Sequence, residues 1–297
     1  MATPATLLTL AQLNECSAAD FTAGLGEVFE HAPWVAEAAL AGRPFPTVAA
    51  LHQAMMVEVR AASREKQLAF VRSHPELGSK IARAGLTDAS QVEQGGLGLD
   101  RLNEQEFVRF QALNAAYRTK FGFPFIICVR RHTRDSILAR FERRSGHDAD
   151  TEFAAALDEI GLITRLRLVA TVDGPGRPLT TGQLSTHVLD QTSGRPAAGV
   201  AVALYEIGVS ARGLLVMART NDDGRTDPPL IVGEPLRIGR YELQFGVGDY
   251  FARWSAPPSA LPFLDVVPVR FAIAEPEGHY YVPLLATPWS YTTCRGS

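Results

Sequence analysis

Two patterns of hydrophobic spacing divide the chain. Up to about residue 170, apolar residues recur at intervals of three and four, as in "ADFTAGLGEVFEHAPWVAEAAL", "TVAALHQAMMVEVRAASREKQLAFVRS" and "NEQEFVRFQALNAAYRTKFG". That spacing predicts amphipathic helices. The last of them, "DTEFAAALDEIGLITRLRLVA", lines up Phe153, Leu157, Ile160 and Ile163 as one stripe. From residue 183 the pattern shortens to β-rich runs: "STHVLD", "VAVALYEI", "LLVMART", "RYELQFGV", "VPVRFAIA" and "YYVPLLA". Turn-forming segments such as "TSGRP", "NDDGR" and "PPSALP" break them, which predicts a β-sandwich or barrel. Between the halves, "VDGPGRPLTTG" is rich in Gly and Pro and reads as a turn-forming linker. The expectation is a multidomain chain: an all-α domain over 1–170, a linker over 171–182 and an all-β domain over 183–297.

Composition narrows the function. At 297 residues and 46% hydrophobic, the chain supports two packed domains. A net charge of −3 gives no basic face, so nucleic acid is not an expected partner. The longest apolar run, "FPFIICV", is too short to span a bilayer, and the first residues make a poor secretion signal. Cys16, Cys128 and Cys294 are widely spaced and odd in number, which argues against a disulfide framework or zinc site and for a reducing cytoplasm.

Candidate chemistry in the helical half starts at "VRSHPELG". The residue before a proline is pushed out of the α region, so a helix should end near Ser73 and leave His74 at its end. There His74 is either a surface turn residue or an acid–base group facing a cleft. "SQVEQGG" places Ser90 and Glu93 at capping-box spacing, which predicts a helix start. Arg167 falls between Ile160 and Ile163 on the apolar stripe, with Arg165 pointing roughly the other way. An inward guanidinium needs an anionic partner. Either a buried carboxylate or a substrate carboxylate held bidentately would serve.

"SHPELG", "SQVEQGG", "YRTKFGFPFIICVR" and "ITRLRL", in this order on a helical domain, resemble the OHCU decarboxylases, which act on 2-oxo-4-hydroxy-4-carboxy-5-ureidoimidazoline in urate breakdown. The resemblance implies that His74 is the catalytic histidine and that Pro75 lines the site. It implies substrate contacts from Ser90, Glu93 and Gln94, with Glu93 also taking part in catalysis. Phe125, Ile126 and Ile127 of the "FPFII" segment would contribute backbone contacts, and Arg167 would hold the substrate. Gly95 and Gly96 stand where the family more often carries alanines. No metal or cofactor is implied, because loss of CO2 beside an imine-like carbon leaves electron density that the ring itself accepts.

In the β half, alternation turns His187 to the face opposite Thr186, and Gly224 in "TNDDGR" suits a positive φ. His279 and Tyr281 share a face by period two. Spacing alone does not join these residues. "LSTHVLDQTSGRPA", "TNDDGR", "GDYF", "HYYVPLL" and "SYTTCRGS" resemble the 5-hydroxyisourate hydrolases, relatives of transthyretin. That family folds as a two-sheet sandwich, forms tetramers and folds its terminal segment back into the active site. The resemblance implies His187 and Arg225 as catalytic, with His279, Tyr281, Cys294, Arg295 and Ser297 near the substrate. Two positions depart from the family pattern. Tyr281 stands where the second histidine of "HYHVPLL" is usual, and Cys294 replaces the tyrosine of "YRGS".

Together these readings predict a cofactor-independent fusion enzyme of urate catabolism. The β half hydrolyses 5-hydroxyisourate to OHCU, and the helical half decarboxylates OHCU to S-allantoin. A homotetramer would form through the sandwich, with helical domains pairing as dimers. The alternative is a decarboxylase whose degenerate β domain serves as an oligomerisation scaffold or ligand-binding module.

Overall fold

The structure, a computed structural model, describes residues 7–77, 104–209, 212–253 and 261–296. Contacts divide the chain into two units. One runs to Arg130 and resumes over Ile137–Leu179, and the other comprises Arg131–Ser136 and Thr180–Ser297.

The first unit is helical: α1 (Leu10–Glu15), α2 (Ala18–Leu25), α3 (Trp34–Ala39), α4 (Val48–Ala61), α5 (Arg64–Arg72), α6 (Glu104–Phe121), most of α7 (Arg134–Arg144) and α8 (Ala149–Thr171). Two of the periodic runs are split. The first breaks between α2 and α3, where His31 takes a left-handed φ of 52°. The second breaks where Ala62 is extended and Ser63 caps α5, its Oγ accepting from the Lys66 amide at 3.3 Å. A short hydroxyl satisfies an otherwise orphaned amide, so a serine inside an apolar run starts a new helix. Asp148 caps α8 in the same way through the amides of Asp150 and Thr151. The predicted stripe of α8 is inward: Phe153, Leu157 and Ile160 are buried, with Ile163 packed beside them. Each such side chain stabilises by about 1.5–3 kcal/mol through apolar burial.

The stretch read as a linker over 171–182 is tied down in its first half. β1 (Leu8–Thr9) pairs in parallel with β2 (Val172–Asp173). The amides of Val48 and Ala49 then donate to the carbonyls of Pro175 and Gly176, at 2.9 and 3.2 Å. Gly176 is required there: its φ is +62°, and a Cβ would come within 2.6 Å of Thr47.

The second unit is a two-sheet sandwich. One sheet orders β11 (Tyr291–Thr293), β10 (His279–Ala286), β3 (Gln183–Asp190) and β4 (Arg195–Pro196), with β7 (Ile231–Val232) also on β3. The other orders β6 (Arg212–Arg219), β5 (Ala201–Ile207), β8 (Gly239–Gly246) and β9 (Val266–Ile273). A core including Leu184, Val188, Leu204, Leu243, Phe245 and Leu284 fills it. The six β-rich runs all become strands. The all-β expectation misses α9 (Val247–Ala252), whose Val247, Tyr250 and Phe251 bury at spacings of three and four. Among the described residues no helix is long and apolar enough to cross a membrane.

Candidate active sites

In the helical unit α5 stops at Arg72, and His74 follows, one residue before Pro75, as the proline predicts. Its Nδ1 lies 3.0 Å from the carbonyl of Phe70. A carbonyl only accepts, so Nδ1 carries the proton and Nε2 keeps the lone pair. The ring meets that of Phe70 edge-on, centroids 5.0 Å apart. Burial pushes the imidazole from its usual 6.5 down to about 4; nearby Arg167 and His31 add to the fall, while the Phe70 carbonyl and Glu30 oppose it. At neutral pH His74 is therefore an uncharged base with a defined tautomer.

Arg167 is buried and its Nη1 donates to Glu30 Oε2 at 2.7 Å. Of the two partners left open by the sequence, the structure supplies the buried carboxylate. Sequence reasoning missed Glu30. It lies in the break between α2 and α3, where no helical period reports which way a side chain points. Its neighbour His31 places Nε2 3.9 Å from Glu30 Oε1. His74 from the end of α5, Arg167 from α8 and Glu30 from the α2–α3 break thus form one group. Ser90, Glu93 and Gln94 lie outside the described residues.

The "FPFII" segment is buried, Phe125, Ile126 and Ile127 included, and its main chain is held by charges the sequence gave no reason to single out. Arg144 Nη1 donates to the Ile126 carbonyl at 2.8 Å, and Glu159 accepts from the Cys128 amide at 2.9 Å. Arg144 also donates to Glu152 Oε1 through Nε and Nη2, at 2.9 and 2.6 Å. The Tyr117 hydroxyl donates to the same carboxylate, and burial together with Glu152 drives its phenol upward. His147 Nδ1 reaches Glu152 Oε2 at 2.8 Å. Phe125 stacks on Phe141 at 3.9 Å, under the Arg144 guanidinium. Removing one member of a buried ion pair strands the other. Glu152→Gln is expected to cost about 3 kcal/mol of stability. Chemical denaturation checks this, and a change under about 0.5 kcal/mol would place the group among neutral surface substitutions.

In the sandwich β3 alternates as predicted: Leu184, Thr186 and Val188 face the core, while His187 faces the other way. β10 runs parallel to β3 in a register that sets Tyr281 opposite Ser185 and Pro283 opposite His187. The Tyr281 hydroxyl lies 3.2 Å from His187 Nδ1. Arg225 arrives from the "NDDGR" turn, where Asn221 Oδ1 accepts from the amides of Asp223 and Arg225 at 3.1 and 3.0 Å. Gly224 closes the turn at φ +71°, where a Cβ would lie 2.4 Å from the Val188 carbonyl. The glycine thus lets the turn press against β3, and His187 and Arg225 pair as a β-bridge. The Arg225 guanidinium stands 5.5 Å from the centre of the Tyr281 ring. Burial, then Arg225, lowers the pKa of His187, with Asp223 opposing. His187 Nε2 is buried and has no hydrogen-bond partner among the described residues. Such an atom costs stability unless something pairs with it, which fits a substrate or water contact.

The terminal stretch folds back. β11 pairs antiparallel with β10, and the Gly296 amide donates to the Tyr281 carbonyl at 2.9 Å. His279 Nε2 lies 2.9 Å from Ser185 Oγ, Arg295 pairs with Glu275 at 3.3 Å over the Tyr280 ring, and Cys294 is exposed. Ser297 lies outside the described residues.

A helical domain and a transthyretin-like sandwich, each presenting a low-pKa histidine beside an arginine, define a tandem of two small-molecule enzymes. The chain belongs to the OHCU decarboxylase family over residues 14–169 and to the HIUase/transthyretin family over residues 184–296. It is 47% identical over 161 residues to a 2-oxo-4-hydroxy-4-carboxy-5-ureidoimidazoline decarboxylase of Haloferax volcanii, covering 54% of this chain and 94% of that one. It is 53% identical over 114 residues to a 5-hydroxyisourate hydrolase of Deinococcus radiodurans, covering 38% of this chain and 95% of that one. The crystal structure of an (S)-allantoin synthase matches 98% of this chain and 100% of its own, at 35% identity and a TM-score of 0.51.

Proposed function

We infer that this chain is a bifunctional enzyme of urate catabolism: it hydrolyses 5-hydroxyisourate to OHCU in the sandwich and decarboxylates OHCU to S-allantoin in the helical unit. The observation that carries this reading is the occurrence, in one chain, of a His–Arg group in each of the two matched domains. In the sandwich, His187 Nε2 takes a proton from water as the water oxygen bonds to a ring carbonyl carbon. Arg225 offsets the charge growing on the carbonyl oxygen, and the carbon–nitrogen bond then breaks with the proton passing from His187 to nitrogen. For this Nδ1 must hold its own proton, donated to Tyr281. Tyr281 thereby does the orienting work of the histidine usual at its position.

In the helical unit, Arg167 orients the substrate carboxylate, and the carbon–carbon bond breaks with its electron pair moving into the ring imine. His74, uncharged and with Nε2 available, takes the hydroxyl proton and returns it to one face of the ring, while a solvent proton neutralises the ring nitrogen that received the electron pair. Glu93 with Gln94 and Ser90 fixes the ureido and ring groups, with Pro75 and the 125–127 backbone lining the site. The role proposed for His279, Cys294, Arg295 and Ser297 is contact with the hydrolase substrate.

The assembly is a cytoplasmic homotetramer through the sandwich, with paired helical domains. Three free cysteines and the exposure of Trp289 and Tyr291, 70% and 43%, support this reading.

The test supplies freshly made 5-hydroxyisourate to the full chain and follows ring opening by ultraviolet absorbance and S-allantoin by circular dichroism. Both signals should outrun the buffer reaction. Ring opening at the buffer rate with fast decarboxylation of added OHCU would leave the sandwich as a scaffold only. Tyr281→Phe is expected to lower hydrolase kcat/KM by about ten- to a hundredfold, within the range of acid–base contributions, while decarboxylation is unchanged. An unaltered hydrolase rate would remove Tyr281 from the orienting role.

A further inference from the structure

Glu30 is the one carboxylate that joins the His74–Arg167 group among the described residues, and no step above uses it. It is 2% exposed, and its partner Arg167 is 8% exposed. With water excluded, their attraction at 2.7 Å is little screened. The turn that carries Glu30 is anchored on both sides, by buried Phe29 and Ala32, around the left-handed His31. The direction in which the Glu30 side chain leaves the backbone is thus set by the turn.

A decarboxylase has a particular difficulty with arginine. The substrate carboxylate holds its negative charge in the ground state and loses it as CO2 forms. A bare buried guanidinium would therefore bind the ground state better than the transition state, and such binding slows the chemical step. Glu30 makes the pair with Arg167 formally neutral before substrate arrives. We propose that Glu30 is a positioning residue that aims Arg167 and tempers its grip, so that the substrate carboxylate is oriented without being overheld. This rests on the decarboxylase reading above. Among the described residues, the charged groups that act on His74 are Glu30 and His31 from the α2–α3 break and Arg167 from α8. Glu30 thus reaches the proton-handling imidazole through charge and the substrate through Arg167.

The test is steady-state kinetics on OHCU with the full chain, comparing wild type, Glu30→Gln, Arg167→Gln and the double variant. Glu30→Gln should lower KM by about threefold or more while lowering kcat by about tenfold or more, the signature of relieved ground-state strain. Inhibition by allantoin, which lacks the carboxylate, should stay at the wild-type value. A merely structural role would raise KM and weaken allantoin in step. A KM that is unchanged or raised overturns the proposal. Should Glu30→Gln not fold, the double variant decides, because it leaves no stranded guanidinium. Its kcat and KM should equal those of Arg167→Gln alone, since partners acting as a unit are non-additive. A further loss beyond about threefold in the double variant would show Glu30 acting apart from Arg167 and overturn the proposal. Wild-type inactivity on OHCU would instead overturn the functional reading itself, an outcome visible before any variant is compared.

Discussion

His74→Asn is expected to abolish decarboxylation, lowering kcat by about a hundred- to ten-thousand-fold, the range for loss of an acid–base group. Asparagine is the informative replacement. Its amide nitrogen falls near the place of Nδ1 and still donates to the Phe70 carbonyl, now 3.0 Å from the ring nitrogen. The edge-on packing site beside Phe70 stays filled. What is removed is the Nε2 lone pair, the part of the ring assigned to the proton. The sandwich serves as an internal control, and ring opening of 5-hydroxyisourate should proceed at the wild-type rate in the same preparation. Full decarboxylase activity in this variant would sink the role of His74.

The same residue sets a pH dependence. The folded imidazole titrates near 4, well below its ordinary 6.5, and it works as a base only when neutral. The acid limb of decarboxylase kcat/KM should therefore lie near 4, and a limb near 6.5 would contradict the burial argument. Stability follows with a definite sign. Between about 4 and 6.5 the unfolded chain binds a proton at this position that the folded chain refuses, so acidification through that window destabilises the fold.

Gly296→Ala is the second expected large effect. The Gly296 amide lies against β10 at 2.9 Å from the Tyr281 carbonyl, and a Cβ built there would stand 2.2 Å from Tyr281 Cδ1. No side-chain rearrangement of the alanine relieves that contact, so either the tail lifts or the tyrosine ring moves. Both outcomes disturb the His187–Tyr281 pair, and a misplacement of about 1 Å costs on the order of a hundredfold in rate. Hydrolase kcat/KM should fall by about that much, with the decarboxylase untouched. An unaffected hydrolase would place the terminal segment outside the site.

What was legible in the sequence follows physical rules that act locally. Pro75 ends α5 where it must, so His74 was locatable. The helical period of α8 turned Arg167 inward, and the period of two on β3 turned His187 outward. The illegible parts depend on non-local meetings. Glu30 sits where the helix is broken, so no periodicity reports its direction. Nothing in the sequence singles out Arg144, Glu152 and Glu159, because the aromatic cluster and the turned-in "FPFII" backbone that bury Arg144 and Glu152 and half-bury Glu159 come from several elements. The departure at Tyr281 was visible as a letter, but the 3.2 Å contact that gives it a use depends on strand register between residues 94 positions apart.

The two histidines differ in what dictates their tautomer. At His74 the instruction comes from a main-chain oxygen of the preceding helical turn. Every amino acid at position 70 supplies that oxygen, so no single substitution short of unwinding the helix erases it. At His187 the instruction comes from a side-chain hydroxyl. One substitution at position 281 removes that oxygen. The tautomer of His74 is thus independent of the side chain at its partner position, while that of His187 depends on which side chain stands at position 281.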